Sequence, residues 1–599
     1  MVTHRTRPGL ARGVTFRMLT GLGALALIAA GLGAVAGPAA AQDTASINGA
    51  TTYQSIAGFG ASEAFGQAAT VMDASSSVQQ QALSLLYSPV SGAGLTILRN
   101  EISADSGDTI EPAAPSGPGA APSYVSLASI NSDQGQLWFA QQIKADYGVT
   151  NVFADAWSAP PFMKTNDSAD NGGAVCGVTG ATCSSGDWRQ AYANYLVQYA
   201  KDYAAAGDPL SYIGPENEAN LSTSYDSMQM SPAQTTSFLD VLGPTLASSG
   251  LSTQMECCAT EGWDYAQQYA SAIESDPASL ADTAVFTSHG YTQAPDSALS
   301  GWAKPAWETE WSTFDSWDPA WDDGTDASGM TWAQNIYNGL VNANLSAFLY
   351  WWGSTTPSEN GDNEGLIEIN GSTVTPSGRL WAFGNYSRYV LPGAVRIGAS
   401  SSDASVPIDA FKNTNGTVAI VALNNLSSAD TITYSLSGTG TPNGATVTPQ
   451  VTNASNDIAA QAATSVSGGA FTATIPARSL VTYVVGTSGS TPPGASCTVT
   501  YTTTAQWTGG FTANVTIANN GSSPISGWTL AFTFPGDQEI TDAWNGAASQ
   551  SGEKVSIANE SYNATIEAGG NTSLGFQGTW TTSNAAPTAF TLNGTSCAT

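Results

Sequence analysis

Short apolar or β-branched runs alternate with longer amphipathic stretches through the first two thirds of the chain. Eight such runs stand near 54–60, 94–101, 150–157, 210–217, 253–258, 283–289, 304–310 and 346–352. Helical spacing is clearest over 187–205. There Trp188, Tyr192, Tyr195, Leu196, Tyr199 and Tyr203 fall on one helix face, with Ser185 or Asp187 available as the cap. That tyrosine stripe reads as packing against a core, not as a binding surface. Strands alternating with helices predict a parallel sheet, and eight such units predict an α/β protein with a (β/α)8 TIM barrel over 42–395.

From Arg396 the texture changes. Residues 396–485 are rich in Thr, Val, Ser and Gly, with alternating runs at Thr417–Leu423 and Ser479–Val485, which predict an antiparallel β-sandwich beside the barrel. A linker of Gly, Ser, Thr and Pro follows at 486–496, and 497–597 reads as a further all-β unit. At the other end, Arg5, Arg7, Arg12 and Arg17 precede an apolar stretch, Met18 to Ala36, and a small-residue segment closing at Ala41. That is the order of a secretory signal peptide, assigned to 1–41. No later stretch approaches the roughly 20 apolar residues that span a bilayer, so a secreted, extracellular and soluble protein is expected.

Charge narrows the partners. Only 11% of the 599 residues are charged, and Asp+Glu outnumber Lys+Arg by 47 to 16, for a net charge of −31. Nucleic acid and anionic membrane surfaces both need clustered basic residues and are excluded as partners. The 17 Trp and 21 Tyr suit neutral, ring-shaped ligands instead, because aromatic faces pack on sugar C–H surfaces without charge. Six cysteines agree with an oxidising compartment. Cys497 and Cys597 bracket the last unit as a staple, and Cys176 and Cys183 close a short loop. Cys257 and Cys258 are adjacent, and a vicinal disulfide and a pair of buried thiols both remain open.

Beyond the signal, His289 is the single histidine. No His-rich metal site is available, no G-x-S-x-G elbow exists for a Ser-His-Asp hydrolase, and neither a P-loop nor a dinucleotide fingerprint is present. No metal and no cofactor is expected. Abundant carboxylates and aromatics leave the chemistry of glycoside hydrolysis. In a barrel, the reacting groups sit at the C-terminal ends of strands. The fourth strand runs into Gly214-Pro-Glu-Asn-Glu218 and the seventh into Trp307-Glu-Thr-Glu310. Glu216 and Glu218 share strand parity, as do Glu308 and Glu310, so alternation alone does not choose between them.

These residues resemble the clan A glycoside hydrolases. Gly58-Phe-Gly-Ala-Ser-Glu-Ala-Phe65, Trp157-Ser-Ala-Pro-Pro-Phe-Met-Lys164, Trp307-Glu-Thr-Glu310 and Gly384-Asn-Tyr-Ser-Arg-Tyr-Val-Leu-Pro-Gly393 are similar to motifs of glycoside hydrolase family 30. The resemblance spans about 45–485, and in that family the side β-domain takes in a segment equivalent to Ala45–Thr52. The stretches 171–176 and 183–188, with Cys257-Cys258, resemble the xylanase branch known mainly from fungi, subfamily 7. The resemblance implies Glu218 as acid/base and Glu310 as nucleophile. Asn217 would hold the sugar 2-hydroxyl, and Arg99 and Tyr291 would hydrogen-bond the nucleophile. His289 would support the pair or serve as a structural histidine. Trp157, Trp351 and Trp352 would stack on sugar rings. Family xylanases that demand a glucuronate branch grip it with arginine. Loops 58–70 and 353–372 have no Arg or Lys, and Gln67 stands where a basic residue would be expected, so weak dependence on uronate branches is predicted.

The last unit resembles carbohydrate-binding module family 2, through Gln506-Trp507, Ser526-Gly-Trp528, Asp542-Ala-Trp544-Asn545 and the Cys497/Cys597 pair. The resemblance makes Trp507, Trp544 and Tyr562 a flat cellulose-binding strip, with Trp528 in the core. The leading expectation is a secreted, monomeric, retaining β-1,4-xylan hydrolase of endo-xylanase type, targeted to cellulose. A β-1,6-galactanase or β-1,6-glucanase keeps the fold and changes the sugar. A non-catalytic polysaccharide-binding adhesin is the alternative of another class, and the presence of both Glu218 and Glu310 argues against it.

Overall fold

The computed structural model describes residues 43–104, 107–127, 133–358, 363–486, 497–520, 524–567, 569–587, 590–593 and 595–597. The signal segment at 1–41 and nearly all of the linker at 486–496 lie outside them. Among the described residues, no helix is long and apolar enough to cross a membrane.

The chain begins with β1 (Asp43–Ser55) and then builds eight barrel strands. These are β2 (Gly58–Ser62), β3 (Ile97–Ile102), β4 (Asn151–Ala156), β5 (Tyr212–Gly214), β6 (Gln254–Thr260), β7 (Thr283–His289), β8 (Ala306–Glu310) and β9 (Ala347–Thr355). They are hydrogen-bonded in sequence order and all parallel, and β9 pairs with both β8 and β2, closing the ring. Strand β2 starts four residues later than the sequence pattern places it, because Gln54 and Ser55 belong to β1. The floor of the barrel is filled by Ile97, Phe153, Val285, Trp307, Ala347 and Leu349.

The helix Arg189–Ala205 buries the whole stripe from Trp188 to Tyr203 against the strands. Its tyrosines do more than fill space. The hydroxyls of Tyr192, Tyr195 and Tyr199 donate to the carbonyls of Pro215, Ser103 and Glu101, tying the helix to the upper ends of the barrel strands. Neither Ser185 nor Asp187 caps this helix. Trp188 occupies the cap position, Ser185 accepts from the Trp188 indole, and Asp187 is held by the Arg189 backbone and guanidinium.

β1 stands outside the barrel and joins a ten-stranded sheet, antiparallel to Val395–Ser401 and parallel to Asp430–Ser437. A separate core of Val, Ile, Tyr and Phe packs within that unit. It is fastened to the barrel by Arg478, which forks onto Asp322 at 2.8 and 2.6 Å while its carbonyl accepts from the Trp321 indole. The C-terminal unit has sheets of four and five strands and one two-stranded pair, around Phe511, Trp528, Phe532 and Phe576. Disulfides join Cys497 to Cys597, Cys176 to Cys183, and the neighbours Cys257 and Cys258. The adjacent pair is therefore a vicinal disulfide.

Candidate active site

Strand parity accounts for half of the site. Ile97 and Phe153 fill the barrel floor, so Arg99 on β3 and Asp155 on β4, two residues further along, also point inward, one layer higher. Arg99 is fully buried. Its guanidinium forks onto Asp155, with Nε and Nη2 at 3.1 and 2.9 Å, and Nη2 also donates to Asn217 Oδ1 at 2.6 Å. Nη1 donates to Glu310 Oε2. The Trp157 ring lies 4.5 Å from the guanidinium carbon.

Broken parity accounts for the other half. On β8 Trp307 points inward, and strict alternation would send Glu310 outward. The β7/β8 register slips instead: Ser288 pairs with Glu308 and His289 with Glu310. This bulge turns Glu310 into the barrel mouth. Glu308 stays behind it and accepts from the Trp263 indole at 2.6 Å. A second slip, between β2 and β9, sets Ser62 against Trp352, so Trp351 and Trp352 both reach the mouth, stacked at 5.2 Å. Glu216 likewise turns away and accepts from Thr235 at 2.9 Å. Glu218 sits in left-handed backbone, φ 47°, its N–H donating to the carbonyl of Ala259, which has φ 45°. For non-glycine residues such angles cost free energy that the surrounding structure must supply.

Glu218 and Glu310 thus face each other. An oxygen of each, and a His289 ring nitrogen, all lie within 4.8 Å of one another. His289 Nδ1 is 3.1 Å from Glu218 Oε1, and its Nε2 is 3.7 Å from Glu310 Oε2. The Tyr291 hydroxyl donates to Glu310 Oε1 at 2.8 Å. Burial and the negative charge of Glu310 push the Glu218 carboxyl well above the usual carboxylate range. Burial raises Glu310 too, but Arg99 and the Tyr291 hydroxyl pull it back toward the ionised form. Burial and Arg99 hold His289 well below its ordinary value, so its imidazole is neutral. Glu218, His289 and Glu310 are ligand types, but a cation among them would sit against the Arg99 guanidinium. Glu216, Cys257 and Cys258 also converge, with both sulfurs joined to each other.

These groups open into a cleft of about 490 Å³, lined by aromatics and by four carboxylates: Glu218, Glu261, Glu310 and Glu364. Every candidate at the barrel mouth named from the sequence is brought together here. Gln67 is not. It is buried at the start of the helix Gln67–Asp73 and is absent from the cleft wall. Asp155, Phe65, Tyr225, Glu261 and Phe314 also belong to the site, although no sequence motif singles them out. Asp155 was visible in the alternation Phe153, Asp155, Trp157; the others lie on loops with no periodicity. In the C-terminal unit, Trp507, Trp544 and Tyr562 are all exposed. Trp507 lies across from Gly510, and Trp544 across from Gly575, which pairs with Asn514. Gly510 and Asn514 are four residues apart on one strand, so both tryptophans share the outward face of the four-stranded sheet. Trp528 is buried.

The O-glycosyl hydrolase family 30 profile matches residues 42–281 and the family 30 β-sandwich profile matches 393–483. The solved catalytic domain of GH30 xylanase C from Talaromyces cellulolyticus is similar, with 44% identity and a TM-score of 0.68, over 74% of this chain and 100% of that one. The chain belongs to glycoside hydrolase family 30. Within the family, a GH30 endoxylanase from Clostridium papyrosolvens C71 has the same fold, with a TM-score of 0.57 at 23% identity over 74% of this chain and all of that one. The cellulose binding domain profile matches residues 497–597. That part of this family 30 chain is 51% identical over 90 residues to endoglucanase A of Thermobispora bispora, which is 15% of this chain and 20% of that protein. It is 46% identical over 101 residues to exoglucanase A of Cellulomonas fimi, 17% of this chain and 12% of that protein. The chain spans about a fifth or less of these curated relatives, and the shared part is the binding domain.

Proposed function

We propose that this protein is a secreted, retaining, endo-acting β-1,4-xylan hydrolase held on cellulose by its C-terminal unit. The observation that carries the reading is the carboxyl pair within 4.8 Å, with Arg99 on one member only. Retaining hydrolysis needs carboxyls about 5–5.5 Å apart, and inverting hydrolysis about 6.5–9.5 Å. Glu310, its charge favoured by Arg99 and Tyr291, attacks the anomeric carbon. Glu218, protonated because of its burial and its neighbour, gives its proton to the leaving oxygen and later takes one from water. Asn217 Oδ1 is occupied by Arg99, which leaves its amide N–H groups for the sugar 2-hydroxyl. A neutral His289 with its proton on Nδ1 donates to Glu218 Oε1 and leaves Oε2 to carry the acidic proton.

Xylan as substrate rests on the 44% identity to the Talaromyces xylanase domain. A neutral chain is favoured by the cleft wall, which among the described residues offers four carboxylates and no Lys or Arg. Uronate branches therefore gain no cation here. Three disulfides among the described residues support an extracellular destination. The test is a product profile on xylan, arabinoxylan, glucuronoxylan, β-1,6-galactan and β-1,6-glucan, with the anomer of the first product read by NMR. Internal cleavage of unbranched xylan with a β-anomer product is expected. Cleavage confined to glucuronate-flanked bonds, to a β-1,6 polymer, or with an α-anomer product would overturn the reading. Absence of hydrolysis on all five would favour a binding protein instead.

A further inference from the structure

Six large apolar side chains are exposed among the described residues: Tyr53, Tyr225, Phe314, Trp507, Trp544 and Tyr562. Singly scattered exposed aromatics need no explanation. These are not scattered. Tyr53 is covered by the Arg396 guanidinium, 3.9 Å from its ring, and three others belong to the C-terminal unit. The remaining two, Tyr225 at 48% and Phe314 at 62% exposure, both line the cleft that holds Glu218 and Glu310.

Both rings are held in place. Tyr225 follows β5, in the loop that carries Glu218. On its C-terminal side the buried Asp226 accepts from the Ala104 backbone at 2.8 Å, and the Ser227 carbonyl accepts from the buried Lys164 ammonium at 2.6 Å. The Ser227 hydroxyl ties back to Thr223 at 3.2 Å. The Tyr225 ring meets Phe65 edge-on at 6.1 Å, so loops from β2 and β5 touch across the mouth. Phe314 follows β8, in the loop after Glu310, and stacks on Tyr291 at 5.4 Å and 27°. Each exposed ring thus lines the cleft that Glu218 and Glu310 share, on a support already fixed before a ligand arrives, which lowers the entropy cost of binding. Among the described residues, neither ring has a covering partner on its outer face that would explain its position by packing alone.

We propose that Tyr225 and Phe314 are sugar-stacking platforms that extend the site beyond the reacting ring. They select an extended, uncharged sugar chain over a short one. The proposal rests on the hydrolase reading above and deepens it, since platforms beyond the reacting ring serve an enzyme that cuts within chains.

The test is kcat/KM across xylo-oligosaccharides from two to six units, for wild type and for Tyr225→Ala, Phe314→Ala, Tyr225→Phe and Phe314→Tyr in the full chain. Each alanine variant is expected to lose about three- to tenfold on the hexamer, the range of one aromatic stacking contact, with the loss shrinking as the chain shortens toward the dimer. The aromatic replacements are expected to restore the hexamer rate. An equal loss at every length, or no loss at any, would overturn the proposal. A wild type inert on xylo-oligosaccharides but active on β-1,6-linked ones counts against the xylan reading alone, and the platforms are then judged by the same comparison on that series.

Discussion

Replacing Tyr291 with Phe removes one hydroxyl and keeps the ring that stacks on Phe314. That hydroxyl donates to Glu310 Oε1 at 2.8 Å in a buried site. A hydrogen bond to a charged group is worth about 1.5–3 kcal/mol, and about 1.4 kcal/mol corresponds to one pKa unit. Loss of the donor disfavours the ionised carboxylate, so the pKa of Glu310 should rise by roughly one to two units. As the proposed nucleophile Glu310 would attack only when ionised, so the acidic limb of the kcat/KM profile should move to higher pH by that amount. The basic limb, assigned to the proposed acid/base Glu218, should move less, because the Tyr291 hydroxyl is directed at Glu310 and Ser312. Arg99 still anchors the other oxygen of Glu310, so the plateau rate should fall by no more than about tenfold. The assay is initial-rate hydrolysis of an aryl xylobioside from pH 3 to 9, with thermal melts of both proteins as the folding control. An acidic limb that stays in place in a well-folded variant would refute the assignment of that limb to Glu310.

Two further outcomes follow from buried carboxyls and exposed rings. Burial pushes Glu63, Glu256 and Asp409 up to about 8, and Glu216 and Glu308 well above the carboxylate range. Their folded-state values exceed the unfolded ones near 4, so the stability they contribute is complete below about pH 4 and is lost as pH rises toward 8. Calorimetric Tm should therefore fall between pH 5 and pH 8, and Glu63→Gln, which mimics the protonated side chain, should flatten that slope; a Tm that climbs over the same range would contradict the reasoning. Trp544→Ala should release most of the protein from microcrystalline cellulose while leaving kcat/KM on soluble xylan within about twofold, and full retention on cellulose would refute the binding role of that face.

Much of this molecule is legible in its sequence because the signals are local. Eight apolar runs of strand length, the tyrosine stripe of one helix and the shift to Thr/Val alternation after Arg396 each report their own element. The tight constellation around Glu310 is different. Alternation leaves Glu308 and Glu310 equivalent, and even favours an outward Glu310 once Trp307 is known to point inward. The choice is made by a register slip between β7 and β8, and a slip depends on two strands at once. The same holds for the adjacent Trp351 and Trp352, which reach the cleft together through the slip against β2. Asp155 was readable and overlooked, since its parity with Phe153 and Trp157 places it under the site. Tyr225 and Phe314 were not readable, because loop residues acquire meaning only when long-range anchors such as Lys164 and Asp226 fix where they stand.

The central claim is that Glu310 forms a covalent bond to the sugar while Glu218 supplies and removes the proton. Incubation of the full chain with a 2-deoxy-2-fluoro-xylobiosyl fluoride, followed by proteolysis and mass spectrometry, tests it directly. The fluorine slows both steps, and the reactive leaving group lets the first proceed, so the glycosyl-enzyme accumulates. A single 2-fluoro-xylobiosyl adduct on Glu310 is expected, formed also, though released more slowly, in a Glu218→Gln variant. An adduct on Glu308 or Glu218, or rapid turnover of natural substrate by Glu310→Gln, would contradict it.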